Sequence, residues 1–406
     1  MSTFLNELNG HYAAEKKSIL SLCDKGMSYS LADFAKELGA SIPKATRIVT
    51  EMVSEGYLAE LGKTGSSGGR RASVFGLNPH AGYFVGVHVE HESLSVVVTN
   101  LPGNVLHIVD NIPFQLKKTE ESVRMMCREV TNCLASLHID ISRVAAYGVD
   151  ITGRVHRLTG YSYSFFISEE KPLRALLEEE FRRPVVLEND TRAMAWGEYV
   201  CGVATDEDTI LFLNVGWGLG MGMVLDGKLF YGKSGFSGEF GHFPLLDNNL
   251  YCRCGKTGCL ETGVSGLALH RLVMEKLAEG RTSVLSPAYK KGDEITLDHI
   301  LEAVEKEDVM VIECIEEMGA TLGRALAGLI NIFNPDLVII GGRLSETHRY
   351  LLPPLRSAVN RHSLNMVNND THIKVSKLGK SAAAIGVSLL AKHSVLHSGA
   401  DRESCI

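Results

Sequence analysis

The chain has 406 residues, with hydrophobic residues at 45%, charged residues at 22%, nine cysteines and a formal net charge of −7. This length exceeds one ordinary hydrophobic core, so we expect two or three domains. The net charge excludes a protein that coats nucleic acid over its whole surface and leaves room for a local basic site. The N-terminal residues lack the pattern of a signal peptide, and no apolar run approaches the roughly 20 residues that cross a bilayer. We therefore expect a cytoplasmic protein without membrane insertion, whose cysteines are reduced.

The first 80 residues predict a winged helix-turn-helix. Apolar residues recur at helical spacing over residues 14 to 25, and Ser30 is a suitable cap for a second helix. Gly39 ends that pattern, and Ser41 with Pro43 begins a third helix. Two short helices joined by a glycine-containing turn are typical of helix-turn-helix units. The segment from Gly56 to Leu77 predicts a β-hairpin wing with a glycine-rich tip.

The residues expected to contact DNA lie on the third helix and on the wing. They are Ser41, Lys44 and Arg47 on the helix, and Lys63, Arg70 and Arg71 on the wing. The helix would enter a major groove, and the wing would reach a minor groove or the phosphates. Residues 1–80 carry nine basic and eight acidic residues, so their net charge is only +1. The alternative is a small helical cap with a charged face.

From about residue 82 the pattern changes to α/β. The predicted strands cover Phe84–Val89, Ser93–Thr99, Val105–Ile112, Val144–Asp150, Pro184–Leu187, Thr209–Val215, Gly220–Leu225 and Leu337–Ile340. The predicted helices cover residues 117–137, 191–201 and 311–333. The order of strands and helices in the first half recurs in the second, which indicates two related lobes with a ligand cleft between them.

Four potential metal ligands fall within eighteen positions: His242, Cys252, Cys254 and Cys259. Three thiolates and one imidazole form the ligand set of a closed tetrahedral zinc site, which leaves no position for a catalytic water. The sequence therefore predicts a structural Zn²⁺. Reduced cysteines in a loop, or a redox pair, are the alternatives.

Two further segments have both a functional and a structural interpretation. Glu188-Asn189-Asp190 stands at a strand-to-helix junction, where Asp190 is suited to act as a general base or to accept bonds from hydroxyls. From the residues alone, a helix N-cap is the favoured interpretation. The glycine-rich run Val215–Gly222 is consistent with a phosphate loop or with a tight hairpin between two strands.

Taken together, these motifs resemble the ROK family of repressors, open reading frames and kinases. The resemblance rests on the glycines and His242 between Val215 and His242, on the run Cys-x-Cys-Gly-x-x-Gly-Cys-Leu-Glu, and on Asn331–Asp336 before Gly341-Gly342. The N-terminal helix-turn-helix with Gly68-Gly69-Arg70-Arg71 is similar to the repressor branch of the family. The resemblance implies an α/β fold in which the winged helix precedes a two-lobed, actin-like sugar-kinase domain of the ATPase type. The expected boundaries are 1–80 for the winged helix, 81–190 for the small lobe, completed by a helix at about 382–395, and 191–381 for the large lobe.

The resemblance also implies a sugar site and identifies where this chain departs from a kinase. The sugar-contacting positions of the family correspond to Asn189, Asp190, Glu239, His242 and Glu261, with Asp190 at the position of the kinase base. The first phosphate loop of the kinases is replaced by the stretch Gly86–Glu92, which places Glu90 and Glu92 where phosphates need to lie. The second loop has Trp217 in place of a threonine. Phosphoryl transfer depends on positioning and charge neutralisation, so we expect no catalytic residue and no kinase activity.

The sequence as a whole predicts a transcriptional repressor of sugar-metabolism genes. Its expected partners are operator DNA, a sugar or sugar-phosphate effector and a second or further copy of the chain, as a homodimer or homotetramer. A regulatory protein is an alternative effector. The competing interpretations are an active ATP-dependent sugar kinase with an accessory DNA-binding domain, and a metal-bound scaffold that binds neither sugar nor DNA.

Overall fold

The computed structural model describes residues 12–24, 26–63, 72–115, 117–164, 166 and 171–397. The chain divides into two compact units. The first comprises Met1–Ala193 with Ala383–Ile406, and the second comprises Met194–Ala382. The predicted fold class is confirmed, with a winged helix-turn-helix followed by two α/β lobes, each built on a five-stranded sheet.

The winged helix consists of three helices and a three-stranded sheet. Its elements are α1 (Ala13–Cys23), β1 (Tyr29–Ser30), α2 (Leu31–Glu37), α3 (Ile42–Ser54), β2 (Leu58–Lys63) and β3 (Ser73–Leu77). The predicted caps are present: Ser30 forms a capping box with Asp33 before α2, and the Ser41 hydroxyl accepts the Lys44 amide at the start of α3. The sheet order β1-β3-β2 makes the predicted wing an antiparallel pair of β2 and β3.

The lobe of the first unit is a sheet in the order β10-β7-β4-β5-β6. Its elements are β4 (Tyr83–Val89), β5 (Ser93–Asn100), β6 (Val105–Pro113), α4 (Glu120–Ser136), β7 (Val144–Ile151), β8 (Val155–His156), β9 (Tyr161–Ser162), α5 (Leu173–Phe181), β10 (Val185–Asn189), the first turn of α6 (Asp190–Cys201) and the last helix, α13 (Ala382–Leu396). The residues of α6 from Met194 onward belong to the second unit. Strands β4, β7 and β10 are parallel, so their carboxyl ends meet at one edge.

Helix α13 packs directly on strands β4 and β7. A Cβ atom at Gly86 would overlap the carbonyl oxygen of Ala384, and one at Gly148 would overlap the carbonyl oxygen of Val387. These two glycines therefore let the helix backbone approach closer than any larger residue permits. Helix α13 is held to the sheet at a further point by a hydrogen bond of 2.6 Å between the hydroxyls of Thr99 and Ser388.

The winged helix and the lobe of the first unit share one hydrophobic cluster. It joins side chains of the three N-terminal helices to residues of the sheet and of α13. Its fully buried members include Ile19, Phe34 and Ile48 from the winged helix, and Phe84 and Ala391 from the lobe. The DNA-binding domain expected from the sequence is thus packed against the lobe through a common core.

The second unit is a sheet in the order β13-β12-β11-β14-β15 with six helices. Its elements are β11 (Ile210–Val215), β12 (Leu219–Leu225), β13 (Lys228–Leu229), α7 (Gly266–Ala278), α8 (Ser286–Lys291), α9 (Leu297–Glu305), α10 (Val309–Phe333), β14 (Leu337–Gly341), α11 (His348–His362), α12 (Asn365–Asp370) and β15 (His372–Val375). Helix α10 is buried along most of its length against α11, where Gly319 and Gly323 approach carbonyl oxygens of α11. None of the described helices of either unit has both the length and the apolar character needed to cross a bilayer.

Candidate functional site

The four predicted metal ligands come together in the second unit. One donor atom from each of His242, Cys252, Cys254 and Cys259 lies within 4.8 Å of the others. The Sγ atoms of Cys254 and Cys259 are 3.6 Å apart, and the Sγ of Cys252 is 3.5 Å from Nδ1 of His242. Tetrahedral coordination with Zn–S bonds near 2.3 Å requires separations of about 3.8 Å between sulfurs and about 3.6 Å between sulfur and nitrogen. The donor set therefore fits a zinc ion.

The backbone around the cysteines forms a compact knuckle. The Gly255 amide donates to the Cys252 carbonyl at 2.9 Å, and the Cys252 amide donates to the Lys256 carbonyl at 2.8 Å. Gly255 and Gly258 adopt positive φ angles of 85° and 76°, which glycine tolerates without strain. These turns allow three thiols to face one point although they are close together in the sequence.

His242 presents its two ring nitrogens to different partners. Its Nδ1 faces Cys252, whereas its Nε2 is 3.5 Å from a carboxylate oxygen of Glu239. A ligating histidine is commonly oriented by a group on its other nitrogen, and a carboxylate is a frequent choice. The geometry thus separates a metal-facing side of His242 from a side that faces the predicted sugar-contacting Glu239.

Glu261, also a predicted sugar contact, is already engaged within the second unit. One carboxylate oxygen accepts the Leu219 amide at 3.2 Å, and the other lies 3.4 Å from the Sγ of Cys252. Burial of the Cys252 thiol, together with Glu261 beside it, raises the pKa of Cys252 to about 12. Glu261 therefore links the cysteine cluster to the strand β12.

The glycine-rich run forms the hairpin that was one of its two interpretations. Strands β11 and β12 pair from Ile210–Val224 to Val215–Leu219, and Gly216-Trp217-Gly218 is the turn between them. The Gly216 carbonyl accepts the amide of Gly266 at 2.7 Å, and the Trp217 carbonyl accepts the amide of Leu267 at 3.2 Å. The turn is thus bonded to the first amides of α7, and 46% of Trp217 is exposed.

Asn189 and Asp190 lie at the carboxyl end of β10 in the first unit. Asn189 caps α6, because its side-chain oxygen accepts the Arg192 amide at 3.1 Å. Its side-chain amide donates to the Gly153 carbonyl at 2.9 Å and to a carboxylate oxygen of Asp190 at 2.8 Å. The same Asp190 oxygen accepts the Thr191 amide at 2.7 Å. The cap that the residues alone favoured is therefore present, and it fixes the orientation of both side chains.

A buried ion pair lies at the carboxyl ends of β4 and β7. Nδ1 of His88 is 2.5 Å from Oδ1 of Asp150, and Nε2 of His88 is 3.5 Å from Glu90. Burial alone would lower the pKa of His88, but attraction and hydrogen bonding to Asp150 raise it well above its usual range. Burial raises the pKa of Asp150 to about 6, despite the opposing effect of His88. At neutral pH the pair is an imidazolium beside a carboxylate.

The same row of the sheet carries a second buried pair. Glu188 on β10 is aligned with Asp150 on β7, and its Oε1 accepts the guanidinium of Arg192 at 2.7 Å. The other carboxylate oxygen of Asp150 and that of Glu188 are buried and have no hydrogen-bond partner among the described residues. His88, Asp150 and Glu188 were not identified as site residues from the sequence. The only signal for His88 in the sequence was its place in the stretch Gly86–Glu92, which replaces the expected phosphate loop.

Three of the predicted DNA contacts lie on or beside α3. The Ser41 hydroxyl caps α3, and Nζ of Lys44 bonds Glu15 of α1 at 2.8 Å. The guanidinium of Arg47 lies 5.8 Å from the centre of the Tyr12 ring. Lys63 ends β2 and is exposed. Arg70 and Arg71 lie outside the described residues, so their contact with DNA stays a prediction, as it does for the other four.

The predicted sugar contacts are divided between the two units. Asn189 and Asp190 belong to the first unit, and Glu239, His242 and Glu261 belong to the second. Within each unit the residues are neighbours, as described above. The assembly of both groups into one sugar site stays a prediction.

Comparison with known proteins identifies the family. The model of the ROK family matches residues 85–394, which is most of the chain and begins just after the winged helix. The chain belongs to the ROK family. It is 29% identical over 351 residues to a xylose repressor of Caldicellulosiruptor bescii, covering 84% of this chain and 87% of that protein.

Two solved structures show both branches of this ROK family. A ROK transcriptional regulator described as a homologue of the Escherichia coli MLC protein has a TM-score of 0.79 at 26% identity, covering 94% of this chain and 96% of that one. A ROK glucokinase from Streptomyces griseus, solved with glucose and AMPPNP, has a TM-score of 0.66 at 29% identity. It covers 77% of this chain and all of the kinase chain. The regulator therefore matches nearly the whole chain, whereas the kinase leaves about a quarter unmatched.

Proposed function

We propose that this ROK protein is a DNA-binding transcriptional repressor of sugar-metabolism genes whose DNA affinity is controlled by a sugar or sugar phosphate. The observation that carries the proposal is the common hydrophobic core of the winged helix and the first lobe. A DNA-reading helix packed in one core with a sugar-kinase-type lobe is positioned to respond to what that lobe binds. The similarity to regulators over nearly the full chain supports the same conclusion.

Helix α13 would couple effector binding in the first lobe to the position of the winged helix. This helix lies on β4 and β7, whose carboxyl ends carry His88 and Asp150, and Asn189 and Asp190 follow on the neighbouring β10. At its other end, α13 contributes Ala391 and Leu396 to the core of the winged helix. An effector that shifts the strand ends would move α13, and with it the spacing of two recognition helices in a homodimer.

We propose that the cysteine cluster holds one structural Zn²⁺. His242, Cys252, Cys254 and Cys259 would bind it, and four protein ligands leave no open position for catalysis. The ion would hold the thiols as thiolates and fix the ring of His242, so that its Nε2 and Glu239 are presented for hydroxyl groups. Glu261 would brace the same arrangement from β12 through the Leu219 amide.

We infer that the protein does not transfer phosphoryl groups. The turn after β4 carries Glu90 and Glu92, both more than half exposed at their side chains, which would repel the phosphates of ATP. The buried imidazolium of His88 is already neutralised by Asp150, so it offers no spare positive charge there. The retained Asp190 at the base position is the observation that favours the second candidate, an ATP-dependent sugar kinase with an accessory DNA-binding domain.

One set of measurements separates the two functions. Fluorescence anisotropy should show specific binding to the DNA upstream of the gene that encodes this protein. The complex is then titrated with xylose, other pentoses, hexoses, amino sugars and their phosphates, and one of these ligands should change the Kd for DNA at least tenfold. A coupled ATP assay with the same sugars should show no turnover above background. Specific DNA binding that no sugar changes would instead support control by a regulatory protein, and robust turnover would refute the non-enzymatic function.

The location and the oligomeric state that we propose for the protein follow from DNA binding. A repressor acts where its operator lies, so we place this protein in the cytoplasm. Operators with two half-sites require two recognition helices, so we propose a homodimer, or a tetramer built from dimers. Sedimentation at micromolar concentration tests this, since a monomer that binds its operator with full affinity would contradict it.

A further inference from the structure

A second group of potential metal ligands lies at the junction of the winged helix and the first lobe. It consists of Asp24, which follows α1, and of His393 and His397 on α13. One donor atom from each residue lies within 4.8 Å of the others. We propose that these three residues form a second metal site, distinct from the cysteine cluster, which takes a divalent transition-metal ion such as Zn²⁺ or Co²⁺.

The spacing of the two histidines is the first reason. Residues four positions apart lie on the same face of a helix, so two imidazoles in this arrangement can bind one ion together. The rings of His393 and His397 have centroids 4.2 Å apart at an interplanar angle of 29°. The two rings are thus adjacent on one face of α13, and metal binding uses the neutral form of imidazole.

The orientation of Asp24 and His397 is the second reason. Nε2 of His397 is 3.0 Å from Oδ2 of Asp24, while Nδ1 of the same ring is 2.9 Å from the Ser21 hydroxyl. A tetrahedral ion with bonds near 2.1 Å requires nitrogen and oxygen donors about 3.4 Å apart. Ser21 would thus hold the ring from its second nitrogen, as partners of metal-bound histidines generally do.

The third reason is that the carboxylate of Asp24 is held in place from its other side. Nζ of Lys392 lies 2.7 Å from Oδ1 of Asp24 and also donates to the Pro102 carbonyl at 3.1 Å. This ammonium group orients Asp24, and its charge also weakens the attraction for a cation. The proposed site should therefore bind zinc more weakly than the cysteine cluster. Imidazole and carboxylate donors suit Zn²⁺, Co²⁺ and Ni²⁺.

The position of the site gives the ion a consequence for DNA binding. Asp24 is joined to α1, and α1 is tied to α3 because Nζ of Lys16 bonds Glu51 at 2.5 Å and Glu55 at 2.7 Å. An ion between Asp24 and the two histidines would cross-link α1 to α13 and so fix α3 relative to the first lobe. This consequence rests on the proposed function, whereas the site itself does not.

The test is metal stoichiometry on the full chain. Wild-type protein, titrated with Co²⁺ after removal of bound metal, should bind two equivalents. The first should produce an intense thiolate-to-cobalt charge-transfer band, and the second should add only weak ligand-field absorption. His393→Ala should keep the first equivalent and weaken the second at least tenfold. His362→Ala, which changes an exposed histidine at the end of α11, should leave both equivalents unchanged.

Several outcomes would overturn the site. They are a single equivalent in the wild type, a second equivalent that persists in His393→Ala, and a second equivalent with thiolate absorption. If His393→Ala does not fold, His397→Gln serves for the same titration, since it also removes a ligand. Operator affinity measured with and without Zn²⁺ then tests the coupling. Two bound equivalents without any effect on DNA would keep the site and reject the cross-link.

Discussion

The buried pair of His88 and Asp150 allows a quantitative prediction. In His88→Leu, which keeps a similar volume, the Asp150 carboxyl group is left fully buried without its cation. It must then remain ionised in the core or take up a proton. Relative to an ordinary pKa of 3.8, protonation at pH 7 costs about 1.36 kcal/mol for each of 3.2 pH units, or about 4.4 kcal/mol. This value is an upper limit to the loss in the free energy of unfolding. It lies within the roughly 3–5 kcal/mol that proteins lose when one partner of a buried ion pair is removed.

The pH dependence of the stability loss tests whether the unpaired Asp150 carboxyl group causes it. A raised folded-state pKa of Asp150 gives stability at low pH that is lost as the pH rises, so His88→Leu should regain about 2.7 kcal/mol between pH 7 and pH 5. In the wild type, folded His88 is already protonated at pH 7 because its pKa is raised well above 6.5. Unfolded histidine titrates near 6.5, so His88 contributes about 0.8 kcal/mol over the same range, and Asp150, with its folded pKa of about 6, contributes about 1.3 kcal/mol. The wild type therefore regains about 2.1 kcal/mol, and the stability difference between His88→Leu and the wild type should narrow by about 0.6 kcal/mol as the pH falls from 7 to 5.

Urea unfolding followed by circular dichroism at pH 5, 6 and 7 measures these differences in the free energy of unfolding. Effects of pH on the cysteine cluster are common to the wild type and the variants, so they cancel in the comparison. The matched control is His88→Leu with Asp150→Val, which removes both charges and should lie within about 1 kcal/mol of the wild type at pH 7. A loss below about 1 kcal/mol in His88→Leu at pH 7, or a loss that grows as the pH falls to 5, would refute the assignment of a buried ion pair.

Three further predictions concern the metal, the packing of α13 and the DNA surface. Cys254→Ser should lose bound zinc and several degrees of melting temperature, measured by metal analysis and thermal unfolding, while Cys201→Ser, at an exposed thiol, should keep both; equal stability of the two variants would contradict a structural ion. Gly148→Ala should cost about 1–3 kcal/mol in urea unfolding because its new methyl group meets α13, whereas Gly328→Ala, in open space within α10, should be neutral or stabilising. Arg47→Ala should lower the slope of log Kd against log salt by about 0.9 for each DNA phosphate that the guanidinium neutralises in the wild type, and an unchanged slope and affinity would remove Arg47 from the DNA interface.

The cysteine cluster and the winged helix could be predicted from sequence because their determinants are local. The four predicted metal ligands fall within eighteen positions, and two glycines supply the turns between them. Ser30 and Ser41 cap their helices through residues only three positions away. The helices between residues 266 and 305, and those between 348 and 370, were not predicted.

For Asn189 and for the glycine-rich run Val215–Gly222, the local sequence was compatible with two interpretations. Asn189 stands where a strand meets a helix, and the same position serves as a cap and as a hydroxyl contact. The structure shows the cap, since Asn189 accepts the Arg192 amide, and the cap leaves the Asp190 carboxylate at the strand end. The glycine run forms a hairpin because β11 and β12 pair in register up to Val215 and Leu219.

Sequence patterns were sufficient to predict most strands and the grouping of His242 with Cys252, Cys254 and Cys259, since each depends on residues close together in the chain. The folded chain was needed to show that His88 meets Asp150, 62 positions away, because parallel pairing of β4 and β7 aligns them. It was also needed to bring Asp24 to His397, 373 positions away, because α13 returns to the first unit and packs against the winged helix. Contacts between residues far apart in the sequence depend on how the strands and helices pack. The spacing of residues within one segment does not determine which distant side chains will meet.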